Sequence, residues 1–251
     1  MKSFYITDAG KVRSHNEDSV TIVKNKSNEH LLIVADGMGG HRAGEVASSM
    51  VVTQIGKRFQ DLSTIGSKQD AINWLRENVK EINASIIKYS AEHPEASGLG
   101  TTCVMALLTS EFLLFVNIGD SSGFVFKDGK LKKITKDHTL VNFLVETGDL
   151  TPEEAKNHPK KNVLMKALGA SDKCELDMFD VETDIDAIML CSDGLTNMIA
   201  VDQIEKVLNE EDINVEDKLI KLVKKSNVRG GLDNISIALL VTDRKSGENK
   251  W

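Results

Sequence analysis

An unbroken apolar run, Leu31, Leu32, Ile33, Val34 and Ala35, predicts a buried strand, and it breaks at an acidic residue among glycines, Asp36-Gly37-Met38-Gly39-Gly40. The pattern returns at Ile188, Met189, Leu190 and Cys191, followed by Ser192-Asp193-Gly194. Between them the spacing changes to three and four. Val46, Met50, Val51 and Ile55 share one side of a helix predicted over 43–59. Ile72, Leu75, Val79, Ile82 and Ile86 mark a second helix, with Pro94 beyond its end. From Thr101 the pattern predicts strands over 102–108, 112–118 and 122–126, then a hairpin turn at Asp128-Gly129. Thr151-Pro152-Glu153-Glu154 predicts a helix start with Thr as N-cap. Strands are predicted again over 176–181 and 187–191, short helices over 201–208 and 215–226, and a last strand over 235–242. Strands on either side of helix pairs predict packed sheets covered by helices, an α+β layered fold.

Residues 138–169 stand apart as polar and irregular, with Gly148, Pro152 and Pro159 as punctuation, and predict a flap packed less firmly than the rest. No Gly/Ser-rich linker divides the chain, so the expectation is one domain over 1–243, with the flap inside it and a polar tail over 244–251. The net charge of -7, with Lys pairs scattered along the chain, argues against nucleic acid as a partner. No apolar run approaches the ~20 residues that span a bilayer. The N-terminus reaches Asp8 too soon for a secretory signal. Of the three cysteines, Cys103 and Cys191 lie in apolar strand-like runs and read as reduced core thiols. The expectation is a cytoplasmic protein without membrane insertion.

Carboxylates recur where the apolar runs end. An Asp at such a position sits where core meets solvent, a place to hold a hard cation, and Gly37 lets the backbone bring a carbonyl close to it. Asp36 and Asp193 share this setting with Glu17-Asp18, with Asp120 just past Ile118, with Asp137 ahead of His138, and with Asp233 ahead of the last strand. Gathered without a cation, these groups repel and raise one another's pKa. An oxygen-only donor set with no paired His or Cys points to Mg²⁺ or Mn²⁺ and away from Zn²⁺. One Asp-Gly alone is a turn; the recurrence predicts a shared metal centre.

The motifs that carry this constellation are Thr7-Asp8-Ala9-Gly10 with Arg13 and Asn16-Glu17-Asp18, Ala35 to His41 with Ala43-Gly44-Glu45, Gly100-Thr101-Thr102, Gly119-Asp120-Ser121, Thr135-Lys136-Asp137-His138, Ala167-Leu168-Gly169, Cys191 to Leu195, and Gly230 to Asn234. In this order and spacing the chain resembles the metal-dependent serine/threonine protein phosphatases of type 2C, the PPM family, in their compact bacterial form, over residues 3–242. The resemblance implies a sandwich of two antiparallel sheets with pairs of antiparallel helices on both outer faces. It makes Asp36 the carboxylate shared by two metals, with the Gly37 carbonyl on one of them. Asp193 and Asp233 complete the other site. Glu17 and Asp18 match the acidic pair of the second metal, and Asp120 with Asp193 matches a weaker third. Arg13 matches the arginine that clamps the substrate phosphate.

The implied reaction is hydrolysis of phosphoserine and phosphothreonine in proteins by a water bridging two Mn²⁺ or Mg²⁺ ions. Phosphate-monoester hydrolysis has one of the highest uncatalysed barriers, so extensive charge neutralisation is needed. The implied partners are phosphoproteins and a bacterial serine/threonine kinase, with the enzyme a monomer. Two other readings stay open, a phosphatase dedicated to one small regulatory phosphoprotein and a catalytically inactive phosphoprotein-binding module, although no metal carboxylate is missing. The chain departs from many relatives at Ser122, where Gly-Asp-Ser is followed by Arg. Animal relatives place their proposed acid where this chain has Met38, which leaves His41 either as general acid or as a structural or substrate-contacting residue.

Overall fold

The computed structural model describes residues 1–39, 43–96 and 98–243. In chain order the elements are β1 (Lys2–Asp8), β2 (Asp18–Lys24), β3 (His30–Met38), α1 (Ala43–Asp61), α2 (Lys68–Glu92), β4 (Gly100–Thr101), β5 (Cys103–Leu108), β6 (Leu113–Ile118), β7 (Ser122–Lys127), β8 (Lys130–Lys133), α3 (Leu140–Thr147), α4 (Pro152–Lys156), β9 (Asp177–Val181), β10 (Ala187–Cys191), α5 (Asp193–Thr196), α6 (Val201–Leu208), α7 (Val215–Val228) and β11 (Ile235–Val241). One sheet has the order β1-β11-β10-β7-β8 and the other β2-β3-β5-β6-β9, with β4 paired to β3. Every pairing is antiparallel.

The apolar run at 31–35 is continuous because β3 is buried on both faces. Successive side chains alternate across a strand. Leu32 and Val34 join Val104, Phe115, Leu190 and Leu240 between the two sheets. Leu31, Ile33 and Ala35 point the other way, under Val51, Ile55 and Phe59 of α1 and Leu75 and Ile82 of α2. On the far side, Met189, Cys191, Ile237 and Leu239 lie under Ile204 of α6 and Leu219 and Leu222 of α7. The result is the four-layer αββα sandwich that the resemblance implies.

The helices predicted over 43–59 and 201–208 and the strands over 187–191 and 235–242 are present within two residues of those bounds, and the helix marked by the stripe from Ile72 to Ile86 runs on at both ends as Lys68–Glu92. Cys103, Cys174 and Cys191 are free. Among the described residues no helix is long and apolar enough to cross a membrane. The structure adds β1 and β2, which no apolar run announces. In β1 only alternate residues, Phe4 and Ile6, touch the core. It also adds α3 inside the segment read as irregular, capped by the Thr139 side chain and by Gly148 in the left-handed region at φ 84°. The apolar residues of α3, Leu140, Val141, Phe143, Leu144 and Val145, spread around more than one side of the helix and give no single stripe, and Phe143 is 52% exposed.

Candidate active site

The acidic side chains gather where the same ends of both sheets meet. In the second sheet, Asp18 on β2 pairs directly with Asp36 on β3. In the first, Asp193 opens α5 at the end of β10, and Asp233 lies just ahead of the neighbouring β11. A side-chain bond crosses from sheet to sheet: Ser192 Oγ donates to Asp18 Oδ2 at 2.7 Å. The Asp36 and Asp193 carboxylates, one from each sheet, repel each other across the same gap.

Backbone contacts fix the cleft. A Cβ on Gly37 would stand 2.2 Å from the Gly44 carbonyl oxygen and 2.5 Å from that of Glu17, so the first turn of α1 presses on this loop as no other residue would allow. The Gly37 N–H donates to Glu17 O at 3.1 Å. Asn234 ties the opposing loops together. Its Nδ2 donates to the carbonyls of Ala9 and His15, and its Oδ1 accepts the Glu17 N–H at 2.8 Å. Thr102 Oγ1 accepts the Asp36 N–H at 2.9 Å, and Asn197 Nδ2 donates to Asp193 Oδ2 at 2.9 Å. At the mouth, exposed Arg13 donates through Nη2 to Asp233 Oδ2 at 2.7 Å.

Withdrawal from water is the first cause of every carboxylate shift here. It pushes Asp18 up to about 7, with the Ser192 hydroxyl opposing and Asp193 and Asp233 adding repulsion. It pushes Asp120 up to about 7, aided by Asp193, and Asp193 to about 6, aided by Asp233. Asp36 stands well above the ordinary carboxylate range, through burial and then repulsion from Asp18 and Asp193. Glu17 is raised by burial against the pull of Arg13.

Asp18 Oδ1 and Asp193 Oδ1 are buried without a hydrogen-bond partner among the described residues. Orphaned acidic oxygens in a crowded anionic cleft fit hard divalent cations. Among the described residues no three acidic, His or Cys side chains already close into a cage.

The family described as Protein phosphatase 2C matches residues 9–224 of the chain. The chain belongs to this family. It is 38% identical over 244 residues to the serine/threonine phosphatase stp of Listeria monocytogenes, covering 97% of this chain and 96% of that one. The structure of serine/threonine phosphatase Stp1 from Staphylococcus aureus is similar at a TM-score of 0.90 and 37% identity, covering 96% of this chain and 95% of that one. The catalytic domain of the phosphatase PstP, whose structure is described as a complex with two manganese ions, is similar at a TM-score of 0.80 and 34% identity, covering 96% of this chain and 98% of that one. The chain is therefore an enzyme, a metal-dependent serine/threonine phosphatase of type 2C.

In this type 2C chain the fold brings together Arg13, Glu17, Asp18, Asp36, Gly37, Asp193 and Asp233. Asp120 and Asp193 line a cavity of about 390 Å³ whose other wall is the flap, with Asn142, Pro152 and Lys161. Asp137 also reaches this cavity, where Lys133 Nζ holds both of its oxygens, at 2.6 and 2.7 Å, and its charge adds to the repulsion on Asp120. His41 lies outside the described residues. The motifs include Thr102, Ser192 and Asn234 but assign them no role, and Asn197, which closes α5, lies outside every motif.

Proposed function

We propose that the protein removes phosphate from phosphoserine and phosphothreonine in proteins, in the cytoplasm and as a monomer, and so reverses a bacterial serine/threonine kinase. The observation that carries this reading is the cluster of buried, mutually repelling carboxylates drawn from both sheets, with orphaned oxygens and an arginine at its mouth. Asp36 would be shared by two Mn²⁺ or Mg²⁺ ions, with the Gly37 carbonyl on one. Asp193 and Asp233 would complete one site, Glu17 and Asp18 would serve the second directly or through waters, and Asp120 with Asp193 would hold a weaker third. When bound, such cations would offset the carboxylate charge and polarise water and phosphoryl oxygens.

The chain's own residues then have separable tasks. Ser192 and Asn197 orient Asp18 and Asp193 through the bonds above, which engage Oδ2 of each and leave Oδ1 of each without a hydrogen-bond partner among the described residues. Asp233 holds Arg13 by one Nη2, and the remaining N–H groups of the planar fork are available to phosphoryl oxygens. Asp36→Asn and Asp193→Asn keep the shape and remove one charge each. Each variant is expected to hydrolyse para-nitrophenyl phosphate at least ~10²-fold more slowly than the wild type, beyond the loss typical of outer-shell partners. Near-wild-type rates at saturating Mn²⁺, or a wild-type rate indifferent to Mn²⁺, would overturn the reading.

A further inference from the structure

His138, where the flap leaves the sandwich, grips the turn that carries Asp120 with both its backbone and its ring. Its backbone N–H donates to the Gly119 carbonyl at 2.9 Å. The Gly119 N–H donates to ring Nδ1 at 3.1 Å. A ring nitrogen that accepts a backbone N–H carries no proton, so the ring proton sits on Nε2. Nε2 faces Asp177 Oδ2 on β9 at 3.2 Å, an electrostatic contact without hydrogen-bond alignment. The side chain is only 9% exposed. The His138 carbonyl accepts the Met165 N–H at 2.8 Å, from the returning limb of the flap. The next residue, Thr139, bridges Leu164 and caps α3. One residue therefore joins the Asp120 turn, both limbs of the flap and β9.

The turn needs such a hold. Gly119 has φ +106°, and a Cβ there would stand 2.5 Å from Thr102 Cγ2, so the position is restricted to the residue with the greatest backbone freedom. Its carbonyl is fixed twice, by the His138 N–H and by Asn117 Nδ2 at 3.1 Å, and Asn117 also donates to Lys136 O at 2.7 Å. Its amide is fixed by the ring. Behind the ring, Lys166 of the returning flap limb lies 3.7 Å from Asp177 Oδ1, so the carboxylate that faces the ring also faces the flap.

We propose that His138 is a positioning residue whose unprotonated Nδ1 fixes the Gly119 amide and thereby aims the Asp120 carboxylate into the cleft beside Asp193. The proposal rests on the reading of Asp120 as a ligand of the weaker cation. It makes that outer cation position sensitive to how the flap is attached, while the Asp36 position is not.

The test compares His138→Ala with His138→Asn, because an Asn amide oxygen can take the place of Nδ1 as acceptor. The first measurement is amide hydrogen exchange at Gly119 and Asp120 in the metal-free proteins. His138→Ala is expected to lose protection there by ~10-fold or more, and His138→Asn to retain it. The second is calorimetric titration with Mn²⁺ alone. His138→Ala is expected to weaken the weakest site by ~10-fold or more with the tight sites unchanged, and His138→Asn to stay close to wild type. Equal loss in both variants, unchanged protection in His138→Ala, or weakening of a tight site in its place would overturn the proposal. A wild-type protein that binds no Mn²⁺ would instead overturn the metal reading, and the exchange measurement would still decide what His138 holds.

Discussion

At the scale of single residues, the cleft stores unfavourable charge. Burial lifts Asp18 and Asp120 from an ordinary 3.8 to about 7 and Asp193 to about 6, so near neutral pH the metal-free fold retains protons that the unfolded chain has released. An acid whose folded value is raised stabilises the fold fully below its unfolded value, and that contribution is lost as pH rises through the folded value. In chelator, the melting temperature is therefore expected to fall between pH 5 and pH 7.5. Asp18→Asn removes one such proton site and should flatten the fall. Thermal scans at the two pH values that give the same drop in wild type and variant would show that the cleft is not its source.

At the scale of elements, α1 is both a wall of the site and a structural cover. Its first turn meets Gly37 through Gly44, and its last turn buries Phe59 edge-on against Trp74 of α2, with ring centroids 5.9 Å apart. Sixteen residues separate Ala43 from Phe59, about 24 Å along the helix. Phe59 is fully buried, so Phe59→Ala should cost about 3–5 kcal/mol and lower the melting temperature by roughly 6 °C or more. Turnover per folded molecule at low temperature should stay near wild type, because the cavity opens far from the carboxylates. A large loss of kcat with little loss of stability would mean that α1 transmits packing changes along its length.

At the scale of the whole molecule, the candidate cation ligands come from both sheets. Asp18 and Asp36 belong to one, and Asp193 and Asp233 flank strands of the other. A cation bound between them would tie the sheets at the end where carboxylate repulsion pushes them apart. Binding only to the folded state at a hundred times the dissociation constant adds about 2.7 kcal/mol per site. Mn²⁺ should then raise the melting temperature of the wild type by roughly 5 °C or more. The shift should be much smaller in Asp36→Asn. Calorimetric melts with the same Mn²⁺ shift in both proteins would place the stabilising ion elsewhere.

Residue types and spacing by themselves determine much of this. The run 31–35 has to be buried because nothing in it can face water, and the Asp that ends it has to lie at a rim. The stripe from Ile72 to Ile86 admits only a helix with one covered face. The order of the motifs from Arg13 to Asp233, through the resemblance it carries, is enough to point to the carboxylates that line the cleft. What sequence could not supply is the pairing of residues far apart along the chain. That Asp18 lies opposite Asp36 follows from the β2–β3 register, and that Ser192 serves Asp18 follows from how one sheet packs on the other. The same Asp-containing signature reads alike at Asp137 and Asp120, yet the first is paired with Lys133 while the second faces Asp193. His138 carries no local mark of its role, because that role consists of contacts with Gly119, Met165 and Asp177. Local pattern fixes which residues must be buried and which carry charge; only the packing of the two sheets decides which of those charges meet.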